Sequence, residues 1–146
     1  MFYRMLEFFK YLPKEIKWFF QRGFKGYCDK DIWDISYWFE RNIIPMLKEL
    51  KETKHSYPMD MTEKQWEIEL DNMIHCFEEM TDDCSEKNEY WEEYKKHLLS
   101  IEKKEDLDKE LQEKWLKREE EIDNYQVSMK NKALKMFSKH YYDLWD

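Results

Sequence analysis

A chain of 146 residues fits one domain comfortably and leaves little room for two cores of normal size. Two glycines and three prolines stand beside 18% aromatic and 40% charged residues, which argues against sandwiches, barrels and nucleotide-binding α/β folds, whose turns and phosphate loops consume glycine. The net charge of −8 discourages general nucleic-acid binding, and the reading that remains is an all-α chain of four to five helices.

The opening MFYRMLEFFKYLPKEIKWFF places Phe2, Leu6, Phe9, Leu12, Ile16 and Phe20 on one helical stripe. Charged residues interrupt every window, so no membrane span is expected and no cleaved signal is read. A buried amphipathic helix is the first reading, and an interfacial helix rich in Trp, Phe and Lys is its alternative. Pro13 is expected to kink the helix or begin a new one. Gly23 and Gly26 then mark a break in RGFKGYCDKD, and both fit sharp backbone positions.

Asp29 or Asp31 is expected to cap a second helix carrying Ile32, Ile35, Phe39, Ile43, Met46, Leu47 and Leu50, with a kink rather than an end at Pro45. KETKHSYPMDM reads as the first clear loop, because the residue before proline avoids helix. Thr62 opens a third helix with a T-x-x-Q capping box to Gln65. Trp66, Leu70, Met73, Phe77 and Met80 follow as a heptad seam, ended by TDDCSEKN. Beyond it an apolar thread runs through Leu98, Ile101, Leu107, Leu111, Trp115, Ile122, Tyr125, Met129, Ala133, Phe137 and Leu144 in a Glu/Lys-rich background. A continuous helix over 107–144 would be about 57 Å long, so it must protrude, bend near Asn124, Ser128 and Asn131, or pack against another chain. The expected organisation is a single helical domain over 1–146: a compact aromatic-rich part over 1–80 and a long Glu/Lys-rich arm over 85–146.

Charge is uneven. Met1 to Tyr57 carry 11 basic and 8 acidic groups, Pro58 to Asn124 carry 10 and 23, and Tyr125 to Asp146 carry 4 and 2. The basic end is also the aromatic end, which suggests a bound anion or a match between the two halves of the chain or of two subunits. Cys28, Cys76 and Cys84 are odd in number and widely spaced, which fits a reducing, cytoplasmic address better than a disulfide framework or a zinc ribbon. No phosphate loop, nucleophile elbow or H-E-x-x-H pair is present. His75 and Cys76 point about 100° apart on a helix, and Glu52 with His55 is a lone E-x-x-H, so no metal and no cofactor are expected. The acidic pairs Glu78/Asp82 and Glu89/Glu93 read as a solvated face, and no catalytic residue emerges.

The most informative constellation surrounds the glycines: Lys17, Trp18, Arg22, Lys25, Tyr27, Trp33, Tyr37, Trp38 and Arg41. Arginine offers a planar fork to phosphate and flat rings stack on bases, so Arg22, Lys25, Tyr27, Trp33, Tyr37 and Arg41 are the candidate ligand-binding residues. The same vocabulary suits a protein-partner hot spot, or a helical core whose cations reach outward.

The segments G-Y (Gly26, Tyr27), D-x-W (Asp31, Trp33), I-x-P-x-L-x-x-L-K (Ile43 to Lys51), H-S-Y-P (His55 to Pro58) and W-x-x-x-L-x-x-M-I-x-x-F (Trp66 to Phe77) resemble a family of small helical proteins of tailed bacteriophages with no assigned function. The closing ALKMFSKHYYDLWD is similar to that family's ending, while Ser56 stands where the family shows Gly. The resemblance covers about half the chain and implies a phage origin and a helical fold, with no catalytic residue to carry over. Together these readings lead to a non-catalytic phage accessory protein, a cytoplasmic homo-oligomer that counters host defence by sequestering a small anionic nucleotide signal. The alternatives are a protein that blocks a host protein through an aromatic helical surface, and a structural or virion-associated protein.

Overall fold

In a computed structural model describing residues 2–53, 55–100 and 108–145, with the side chains of 2–12 outside the description, five helices follow one another. They are α1 (Phe2–Lys25), α2 (Ile35–Thr53), α3 (Glu63–Glu79), α4 (Trp91–Ser100) and α5 (Lys109–Lys139), and no strand occurs among the described residues. The all-α reading with a long C-terminal helix therefore holds. The side chains expected in the stripe over Phe2 to Leu12, and Ile101 and Leu107 of the apolar thread, lie outside the description.

The chain divides into two units, Met1–Ile43 and Ile44–Asp146, with the boundary inside α2. Cys28 is the only buried residue described in the first unit, and every other buried side chain among the described residues lies from Leu47 onward.

In the first unit, α1 runs through Pro13 and ends at Gly26, whose φ of +78° is open to glycine at little cost. The Gly26 N–H donates to the Arg22 carbonyl at 2.9 Å. Gly23, expected at a similar sharp position, instead sits inside α1 with ordinary backbone. Residues 27–34 make turns, and α2 begins later than expected, under a different cap. Asp34, rather than Asp29 or Asp31, accepts from the Tyr37 N–H at 2.9 Å and the Ser36 hydroxyl at 2.8 Å. An aspartate can cap only when its oxygen reaches the free amides of the first turn.

In the second unit, α2 continues through Pro45 to Thr53, and Tyr57-Pro58 lies in the expected loop. The Thr62 capping box is complete: its hydroxyl accepts from the Gln65 N–H at 3.3 Å, and its own N–H donates to Gln65 Oε1 at 2.8 Å. Trp66, Leu70, Met73 and Phe77 then bury fully, as their heptad spacing predicts, while His75 faces solvent and Cys76 is buried. The face they present is covered by α5, which packs along α3. The two run antiparallel: Trp66 meets His140 with ring centroids 5.1 Å apart, and Glu79 at the far end accepts from the Tyr125 hydroxyl at 2.9 Å. Thus α5 covers α3 within the same chain, and it passes through Asn124, Ser128 and Asn131 without interruption.

Polar groups fasten the ends of this seam. Glu79 is buried, and bonds from the Ser85 hydroxyl and Tyr125 hold its carboxyl below the usual range. His140, 2% exposed, lies 3.2 Å from Asp143 through Nδ1. Arg118 reaches Glu86, Glu89 and Glu121, and the Asn88 side chain donates to the Trp115 carbonyl and to Glu119. These bonds tie the 81–90 segment to α5, and α4 packs on the same helix through Tyr94, stacked 4.6 Å from Trp115.

Phe77 is fully buried and meets Phe137 edge to face. Phe77→Ala should cost about 3–5 kcal/mol in chemical denaturation through lost transfer energy and a residual cavity. Thr62→Ala, which removes only the cap, should cost about 1 kcal/mol in the same measurement.

Candidate functional site

Two adjoining recesses lie in the first unit, between the end of α1, the 27–34 turns and the start of α2. The polar one, about 230 Å³, is lined by Arg22, Gly26, Asp31, Tyr37, Trp38, Arg41 and Asn42. The apolar one, about 270 Å³, is lined by Tyr27, Asp31, Ile32, Ile35 and Trp38. Asp31 and Trp38 belong to both.

Of the six residues expected at a site, Arg22, Tyr37 and Arg41 thus come together in the polar recess and Tyr27 lines the apolar one. Lys25 and Trp33 line neither, and Trp33 is 91% exposed. Helical register explains part of this grouping: Tyr37, Trp38, Arg41 and Asn42 fall one turn apart on α2 and project from one side. In the sequence Asp31 reads as a helix cap and Ile32 and Ile35 as part of an apolar stripe, Asn42 carries no signal, and none of the four is expected at a site.

The cations of the cluster are not equivalent. Arg22 donates through Nε and Nη2 to the two carboxylate oxygens of Asp31 at 3.0 and 2.6 Å, a bidentate pair that occupies its fork. Asp31 also accepts from the Cys28 N–H at 2.7 Å. The guanidinium first, and that amide with it, hold the Asp31 carboxyl well below the usual aspartate range, and the same bond raises Arg22. Lys17 is engaged likewise: it bonds Asp29 at 2.7 Å, where the Gln21 side-chain amide donates at 2.9 Å. Lys30 lies over the Trp18 ring, 5.6 Å from its centroid.

Arg41 is different: it is exposed, lines the polar recess, and its side chain makes no ion pair or hydrogen bond with the described residues. Since Asp31 is neutralised by Arg22, the polar recess presents Arg41 as its uncompensated charge. The neighbouring apolar recess offers the Trp38 and Tyr27 rings. Chemically, the pair can hold a negative group at Arg41 and a flat apolar group beside Trp38. Among the described residues, no cluster of three or more His, Cys, Asp or Glu side chains could hold a metal ion.

The Asp31 bracket gives the turns a defined acid response. A carboxyl depressed by folding adds stability that is complete above the ordinary aspartate range and is lost as pH falls through and below it. Amide exchange at Cys28 should therefore hold steady from neutral pH down to that range, after correction for intrinsic exchange, and lose protection below it. Asp31→Asn should show the weakened protection already at neutral pH, by about 1 kcal/mol given the partly solvated pair.

Comparison with protein-family models, curated proteins and solved structures gives no match to this chain, so its function is read from its own geometry.

Proposed function

We propose that this chain is a non-catalytic binding protein that holds a small anionic, ring-bearing ligand, a nucleotide by chemistry, in the paired recesses of its first unit. The observation that supports this most directly is Arg41: a cation without a protein partner among the described residues, in a recess that shares Trp38 with an apolar neighbour. A guanidinium favours phosphate in bidentate geometry, and an indole face accepts any base, so anion and ring are recognised side by side. Tyr37 and Asn42 supply further polar groups at the same recess.

The resemblance to phage proteins supplies the setting in this proposal: an accessory protein in the host cytoplasm that counters host defence by withholding a nucleotide signal. Sequestration is strongest when a second copy closes the site, and a homo-oligomer is part of the proposal. The competing reading, a protein that blocks a host protein, is favoured by Trp33, whose ring stands outside both recesses.

Calorimetry against a panel of cyclic nucleotides tests the ligand, and silence across the panel would sink this reading. If it holds, Arg41→Ala should cost about 1.5–3 kcal/mol in binding, the range for a hydrogen bond to a charged group. Arg22→Ala should act chiefly through the turns, because its fork is already engaged by Asp31. Light scattering at micromolar concentration checks the oligomer; a clean 18.6 kDa monomer counts against it.

A further inference from the structure

The C-terminal half of α1 exposes a continuous apolar face. Ile16, Phe20 and Phe24 recur at four-residue intervals, Phe19 lies beside them, and their exposures are 49%, 56%, 87% and 73%. Gly23 falls in the middle of this face, and a Cβ placed there would meet nothing within 4 Å. Lys14, Gln21 and Lys25 fall on the opposite side of the same helix by register, while Lys17, at the edge of the apolar face, is held by Asp29.

Large rings left in water cost free energy that a covering phase would recover. The charge of the helix selects that phase. Over Phe2–Lys25 there are six cations and two carboxylates; with Lys17 paired to Asp29 and Arg22 to Asp31, the helix keeps a net +2 in a chain whose total is −8. A second copy meeting this face would bring two net-positive helices side by side, so like charge opposes that pairing. An anionic lipid surface has the opposite sign and a soft apolar layer beneath it. Strong amphipathicity, cations on the polar side and Phe on the other are what a helix lying in the headgroup boundary needs. No helix among the described residues is long and apolar enough to cross a membrane.

We infer that the α1 face formed by Ile16, Phe19, Phe20 and Phe24 docks in the plane of an anionic lipid surface, with the lysines across the helix reaching the headgroups. This site shares none of these four residues with the recesses beside Arg41. The acidic remainder of the chain opposes approach at long range, but within about 8 Å, the screening length at physiological salt, the charge of α1 governs.

The test is sedimentation of the full chain with vesicles of phosphatidylcholine alone and with phosphatidylserine added at 30 mol% (about the content of an anionic leaflet). Partitioning should be about tenfold or more stronger on the anionic vesicles, and it should weaken as salt rises. The double variant Phe19→Ser/Phe24→Ser should lose about tenfold or more while keeping the same circular dichroism, since both rings are exposed. Absence of binding to anionic vesicles overturns the inference, as does equal binding to both compositions or binding untouched by the double variant. A wild-type dimer that the double variant converts to monomer, without vesicle binding, overturns it in favour of self-association.

Discussion

The antiparallel seam between α3 and α5 is the constraint on which the second unit depends, because most of its large, fully buried side chains belong to it. Trp66, Leu70, Met73, Phe77 and His140 are each no more than 2% exposed. A single helix with a heptad stripe cannot bury that stripe alone; it needs a partner of comparable length. Here α5, 31 residues and about 46 Å, is long enough to cover α3 and still present Trp115 to α4. Because the seam is apolar along its centre, the acids crowd to its margins and ends. There Arg118 and Asn88 on one side, and Tyr125 beneath Glu79 on another, supply the partners that buried or crowded carboxylates require.

The first unit is built on a different principle. Among its described residues only Cys28 is buried, and local bonds set the shape of the 27–34 turns. Asp31 receives the Arg22 fork and the Cys28 amide together, Asp29 receives Lys17 and Gln21, and Asp34 caps α2. Three aspartates within six residues thus fix three separate features of one turn region. The functional consequence is electrostatic. The Asp29 and Asp31 pairings each remove a cation from the basic cluster, which leaves Arg41 as the uncompensated cation lining the polar recess.

What the sequence made legible follows from the range of the interactions involved. The capping box of Thr62 and Gln65 spans three residues and the heptad of Trp66 to Phe77 one helix, so both were readable from spacing. The end of α1 was readable from Gly26, since a left-handed residue there suits glycine. The choice of Asp34 over Asp29 and Asp31 as cap was not, because all three aspartates have the composition of a cap and only the backbone decides which oxygen meets a free amide. The pairing of Arg22 with Asp31 was hidden for the same reason: it joins a helix end to a turn nine residues later. Counting charges gives a region its sign but does not say which charges cancel. Periodicity also found the α1 stripe, yet it describes a two-sided helix equally whether its apolar side meets protein or solvent.

That ambiguity is resolved by size. A unit of about 40 residues buries too small a fraction of its apolar surface to build a self-sufficient core, and natural chains of this length lean on disulfides, metals or association. None of the described cysteines is bridged, and Cys28 is enclosed by its own turns. The aromatic excess in the composition therefore cannot be explained as core filling in this unit: Phe19, Phe24 and Trp33 are each more than two thirds exposed. Rings of this size are retained on a surface when their apolar faces are used outside the chain, while a small number of ion pairs hold the backbone that presents them. The scarcity of glycine then has a structural meaning. One left-handed turn at Gly26 is enough to fold the 27–34 region back on α1, and the rest of the chain is left to helices whose exposed sides can be specialised.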